Sequence, residues 1–181
     1  MTIIEIIILG IGLAMDAASV TVANSLVYTN LRKRDYALMP ISFGIFQGLM
    51  PILGYYLGNV FASFITKYSG IVIFAILGFI GAKMIYDAFK PGEDEVKEER
   101  FSLGILGLQS IATSIDAFAI GVGFVAMRVN VYSSSLIIAL TTALVCIGAI
   151  FVGKKAGNIF EDKAQVIGGL VLIAIGIKAL F

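Results

Sequence analysis

Two aspartates stand inside apolar stretches where lipid packing has no use for a charge. Asp16 lies in Gly12-Leu13-Ala14-Met15-Asp16-Ala17, and Asp116 in Ile111-Ala112-Thr113-Ser114-Ile115-Asp116-Ala117. Inserting one carboxylate at the centre of a membrane helix costs about 2.5–3.5 kcal/mol on translocon scales. Such a group is either helix glue, protonated or paired with a lysine, or it handles cations. Two ionised carboxylates balance one divalent cation and leave the apolar interior neutral. When the ion leaves, the emptied pair takes up protons to stay neutral. One site then holds a metal ion or protons but never both, which is the minimum a metal/proton exchanger requires.

Neutral oxygens accompany both aspartates. Ser19 stands one turn after Asp16, and Gly12 one turn before it. Around Asp116, Thr113 is at i−3 and Gln109 at i−7, with Ser110 and Ser114 close by. Gln47 and Pro51 place an amide and a broken backbone bond in another apolar run. Hard divalent cations accept such oxygens beside carboxylates. The competing reading for each hydroxyl is a bond back to its own helix. Lys83 and Lys178 lie near the ends of apolar runs, where snorkelling to the interface is the default. Of the two, Lys83 is the better candidate charge partner for an aspartate. The chain has no histidine, so the commonest metal ligand and pH switch is absent.

These residues need a membrane bundle to position them. With 59% hydrophobic and 14% charged residues among 181, the chain cannot cover a water-facing surface. The expected fold class is all-α integral membrane, because the apolar runs are too long and unbroken for barrel strands. A span takes about 20 residues to cross roughly 30 Å. Six segments fit, at 3–27, 36–57, 69–89, 103–127, 131–153 and 164–181, separated by polar stretches that include 58–68. Asp16 and Asp116 each fall about midway along their span. No removable signal peptide is read at the N-terminus, and Cys146, the single cysteine, says nothing of redox compartment.

Grouping alternate loops puts nine Lys and Arg on one side (Arg32, Lys33, Arg34, Lys90, Lys97, Arg100, Lys154, Lys155, Lys163) and two (Lys67, Arg128) on the other. The positive-inside rule makes the first side cytoplasmic and both termini external. Glu93, Asp94, Glu95, Glu98 and Glu99 then form an acidic cytoplasmic linker, read as solvated.

The chain also repeats itself. Met15-Asp16-Ala17 matches Ile115-Asp116-Ala117 at an offset of 100. Gly54 with Gly58-Asn59-Val60-Phe61 matches Gly153 with Gly157-Asn158-Ile159-Phe160 at 99. Gly81-Ala82-Lys83 matches Gly176-Ile177-Lys178 at 95. The residue equivalent to Gln47 is Cys146, a weaker candidate ligand. Residues 1–89 and 103–181 thus form two three-helix repeats joined by linker 90–102, in a single membrane domain. An odd number of helices per repeat forces the two copies into opposite orientation. Inverted repeats recur in secondary transporters, with substrate sites at the repeat interface near the midplane.

The two aspartate motifs, with Phe43-Gly44-Ile45-Phe46-Gln47-Gly48-Leu49-Met50-Pro51 and Leu77-Gly78-Phe79-Ile80-Gly81-Ala82-Lys83-Met84-Ile85, resemble the MntP-type manganese efflux pump family over essentially the whole chain. The resemblance implies a bacterial inner-membrane exporter that lowers cytoplasmic Mn²⁺. It maps the family's intramembrane aspartates onto Asp16 and Asp116, and its third-span basic residue onto Lys83. After Asp16 the family's aromatic and glycine-containing stretch is replaced by Ala18-Ser19-Val20-Thr21-Val22-Ala23-Asn24-Ser25, whereas Phe118 and Gly121-Val122-Gly123 follow Asp116. Thr21 and Asn24 either line the cytoplasmic half of the pathway or alter ion preference.

The expected function is export of Mn²⁺ or a related divalent cation in exchange for protons, with no resident cofactor and no enzymatic activity. Expected partners are the metal ion and membrane lipid, with no nucleic acid, and a homo-oligomer is compatible with the sequence. Two alternatives stand beside it. An intramembrane aspartyl protease also needs two aspartates, but neither motif here has a Gly-x-Gly-Asp setting. A proton-coupled small-solute exporter would use the carboxylates for protons alone.

Overall fold

A computed structural model describes residues 1–28, 31–89, 101–127, 129–159, 164–178 and 180. Five helices account for nearly all of them: α1 (Ile3–Val27), α2 (Lys33–Phe89), α3 (Leu103–Met127), α4 (Val131–Ile159) and α5 (Ala164–Lys178). The acidic run and residues 90–100 of the linker lie outside the described residues.

The helices begin where local chemistry allows. Thr2 caps α1 in a reciprocal box: its Oγ1 accepts from Glu5 N at 3.3 Å, and its own N donates to Glu5 Oε2 at 2.9 Å. Asn130 starts α4 by accepting from the backbone of Tyr132 and Ser133 at 3.1 and 3.2 Å.

Among the described residues, four helical stretches are long and apolar enough to cross a membrane: Ile3–Val27, Lys33–Leu57, Leu103–Val125 and Val131–Ala156. Two shorter apolar helices, Ile73–Lys83 and Gly169–Lys178, occupy the positions expected for the third and sixth spans. The expected polar separator at 58–68 falls inside α2, which runs as helix over 57 residues, between the apolar stretches Lys33–Leu57 and Ile73–Lys83. That stretch holds no proline, and Val60, Phe61 and Ile65 among its polar residues are compatible with continued helix.

Straight, α2 would be about 85 Å long, far more than a bilayer's roughly 30 Å. It is not straight. Met39 and Phe43 share one hydrophobic core with Leu77 and Ile80, along with Ala17, Ala112, Cys146 and Leu172. On a straight helix Phe43 and Leu77 would stand about 50 Å apart. Gly176 of α5 lies against Phe74, and two residues later Lys178 reaches Asp16 of α1. The two parts of α2 therefore pack as separate limbs of one bundle.

Close contacts fix the helix directions. Gly10 packs on Thr141 and Gly153 on Val22, so α1 and α4 run parallel. Gly48 packs on Ser135, Gly44 on Ala143, and the Tyr36 ring lies 3.6 Å beneath Lys154 Nζ, so the first limb of α2 runs against α4. Ser42 is hydrogen-bonded to Ser110 at 2.8 Å and Gly54 meets Phe118, so that limb runs with α3. Gly81 meets Gly169 and Phe74 meets Gly176, so the second limb of α2 runs against α5. It follows that α1 opposes α3 and the first limb of α2 opposes α4.

Aromatic residues mark both ends of the bundle. Tyr28 meets the Phe101 ring edge-on at 5.6 Å at the end that carries Tyr36 and Lys154. Tyr56 and Tyr132 join their hydroxyls at 2.5 Å at the other.

Candidate metal site

The Asn24–Gln109 contact sets the register between α1 and α3. Eight residues back along α1 is Asp16, and seven forward along α3 is Asp116, so antiparallel helices bring the carboxylates to one level. They are close enough for the charge of Asp16 to act on Asp116. Lys178 completes the group: its Nζ donates to Asp16 Oδ1 at 3.1 Å, and its charge also reaches Asp116. Oδ1 of Asp116 accepts from Ala117 N at 2.8 Å.

Neither carboxylate is sealed inside the bundle. The Asp16 side chain is 33% exposed. Asp116 is exposed as well.

The neutral candidates divide into three kinds. Ser19, Thr113 and Ser114 bond back to their own helices, at Met15 O (2.8 Å), Gln109 O (3.0 Å) and Ser110 O (2.7 Å). Their hydroxyl protons are thus committed, although each oxygen keeps acceptor capacity. Asn24 and Gln109 are buried and bond each other, with Nδ2 to Oε1 at 2.8 Å and Nε2 to Oδ1 at 3.2 Å. Gln47 is different. It is fully buried, its Nε2 donates to Leu13 O at 3.1 Å, and its Oε1 has no partner among the described residues. The amide that carries this oxygen reaches from α2 to the turn of α1 just before Asp16. Cys146 is fully buried among apolar side chains of the main core.

Among the described residues, no three or more His, Cys, Asp and Glu side chains gather into a metal cluster. A cation held by the two aspartates would therefore complete its shell with amide, carbonyl or water oxygens. Mn²⁺, Mg²⁺ and Ca²⁺ accept such a shell.

The sequence of residues 30–180 matches a family described as "Putative manganese efflux pump". The chain belongs to this family. Three relatives carrying that description are similar over nearly their whole length. The protein of Campylobacter hominis is 42% identical over 178 residues, covering 97% of this chain and 96% of its own. That of Methanobrevibacter smithii is 40% identical over 179 residues, covering 99% and 97%. That of Clostridium perfringens is 35% identical over 201 residues, covering 99% and 94%. No solved structure matches. The family match starts after Asp16, but the full-length relatives extend over α1 as well.

One residue of the site escaped the sequence reading. Lys83 was the candidate charge partner, yet the ion pair at the site is made by Lys178, and among the described residues Lys83 makes none. Lys83 is exposed near the end of α2. Lys178 ends α5, which packs beside α1 and brings the ammonium to Asp16. The signal was present in the repeat. Offsets of 95 and 100 make Lys178 and Lys83 equivalent, and likewise Asp16 and Asp116, so a lysine–aspartate contact in either copy implied candidates in both.

Proposed function

We propose that this protein is a secondary transporter that exports Mn²⁺, or a related divalent cation, from the cytoplasm in exchange for protons. The ion would sit between Asp16 and Asp116. The observation that carries the reading is the Asn24–Gln109 register, which brings these carboxylates to one level on oppositely running helices. Membership of a family described as manganese efflux pumps supplies the ion and the direction.

The reading includes six spans arranged as two inverted repeats, 1–89 and 103–181. Three pairs of equivalent segments run antiparallel, which supports it. So does a set of exchanged contacts. Gly81 against Gly169 becomes Gly176 against Phe74 when residues trade places at the 95-residue offset. Gly10 against Thr141 becomes Ser110 against Ser42 at offsets of 100 and 99. A pseudo-two-fold axis in the membrane plane produces this kind of exchange. The end that carries Arg32, Lys33, Arg34 and Lys154 would be cytoplasmic, in the cell's inner membrane.

In this mechanism the metal neutralises the carboxylate pair during passage, and protons do so on the return. Gln47 Oε1 and water would complete the shell. The test is growth in excess Mn²⁺ of cells carrying wild type, Asp16→Asn or Asp116→Asn. Protection by wild type alone is the expected result, and protection by either variant would overturn the site. Proteoliposomes with an imposed pH gradient test the coupling: Mn²⁺ flux indifferent to the gradient would remove the proton half of the proposal.

A further inference from the structure

Lys178 already holds a carboxylate oxygen that a metal ion between the two aspartates would need. Its ammonium bonds Asp16 Oδ1 at 3.1 Å, and its charge acts on Asp116 also. The side chain is 72% exposed and hangs from the last turn of α5, where the helix C-terminus favours a cation. A lysine on a flexible stem, held by one carboxylate oxygen, can withdraw without disturbing the fold.

We propose that Lys178 is a tethered counter-cation: it holds Asp16 while the site is empty and is displaced when a divalent cation enters. The inference rests on the metal reading of the aspartate pair given above. Before any proton is taken up, with both carboxylates ionised, the empty site carries one net negative charge when the lysine is in place. A divalent ion added beside the lysine would leave one net positive charge in a poorly solvated place. With the lysine withdrawn the ion leaves none. Metal and ammonium therefore compete for one oxygen, and the lysine lowers affinity so that a bound ion is released.

The experiment is equilibrium Mn²⁺ binding to the purified full-length chain. Lys178→Met is expected to bind about fivefold tighter, the factor that roughly 1 kcal/mol of screened repulsion supplies. Lys178→Arg, which keeps the charge, stays near wild type. Lys178→Cys binds tightly like the methionine variant and returns towards wild type after reaction with a cationic methanethiosulfonate, but not with a neutral one. Cys146 is buried and serves as the unreacted background. This second variant is modified after folding, so it decides the matter if Lys178→Met folds poorly. Unchanged or weaker binding by the neutral variants, or equal effects of the two reagents, overturns the lysine assignment alone. Wild type that binds no Mn²⁺ overturns the metal reading itself.

Discussion

Asn24 and Gln109 close a two-bond ring between α1 and α3, each amide donating to the other's oxygen from a fully buried position. Antiparallel helices with the carboxylates about two turns away need such a fastener, because few other contacts join α1 directly to α3. Truncating either partner strands the other amide in the apolar core, at about 1–3 kcal/mol. Asn24→Ala and Gln109→Ala should each lower the thermal unfolding midpoint in detergent. The double variant should cost clearly less than the two singles together, since the second truncation removes an amide already stranded. Strict additivity would mean that the pair is not coupled.

A second prediction concerns helix approach. A Cβ on Gly54 would collide with the backbone carbonyl of Phe118, and one on Gly121 with the backbone of Pro51. Backbone cannot swing away as a side chain can. Gly54→Ala and Gly121→Ala should each cost about 1–3 kcal/mol or more by overpacking. Gly148→Ala, with nothing within 4 Å, should be neutral or stabilising by up to about 1 kcal/mol through helix propensity. Thermal melting of the three variants side by side checks the contrast, and equal behaviour would count against this packing.

Much of the architecture could be read from the pattern of apolar runs. The expected segments 3–27 and 103–127 coincide with α1 and α3, because their ends carry polar or helix-capping residues. The polar separator at 58–68 falls between the apolar stretches Lys33–Leu57 and Ile73–Lys83, where α2 divides into its two limbs, although helix is continuous through it. At the site, the repeat related Asp16 to Asp116, but what stands beside them depends on how distant helices dock. Snorkelling and ion pairing look the same in sequence, so Lys178 was left at the interface. The bonds that Ser19, Thr113 and Ser114 donate to the Met15, Gln109 and Ser110 carbonyls depend on side-chain rotamers that the sequence does not specify.

The third prediction separates core from ligand at Cys146. Its side chain is packed with Ala17, Val20, Phe43 and Ile150 in the main core. Cys146→Ala removes one buried sulfur, with an expected stability cost of about 1 kcal/mol. Mn²⁺ affinity should stay within about twofold of wild type, well under the tenfold that 1.4 kcal/mol represents. A loss of affinity larger than that, without a matching loss of stability, would make the thiol a ligand.

Gln47 should behave in the opposite way. Its amide hydrogen bond to Leu13 O contributes about 0.5–1.5 kcal/mol, while its buried, unpartnered Oε1 costs about 1–3 kcal/mol. Replacing the side chain by an apolar one of similar size removes both terms. Leu13 O keeps its place as a main-chain acceptor in α1. Gln47→Leu should therefore melt at or above the wild-type temperature. A residue that is costly to the fold and lies beside the turn before Asp16 makes sense if its oxygen serves the ion. The same variant should bind Mn²⁺ more weakly and protect cells less well against it. Melting curves and binding isotherms on one preparation decide the point: a stabilised variant with undiminished Mn²⁺ binding would remove Gln47 from the shell.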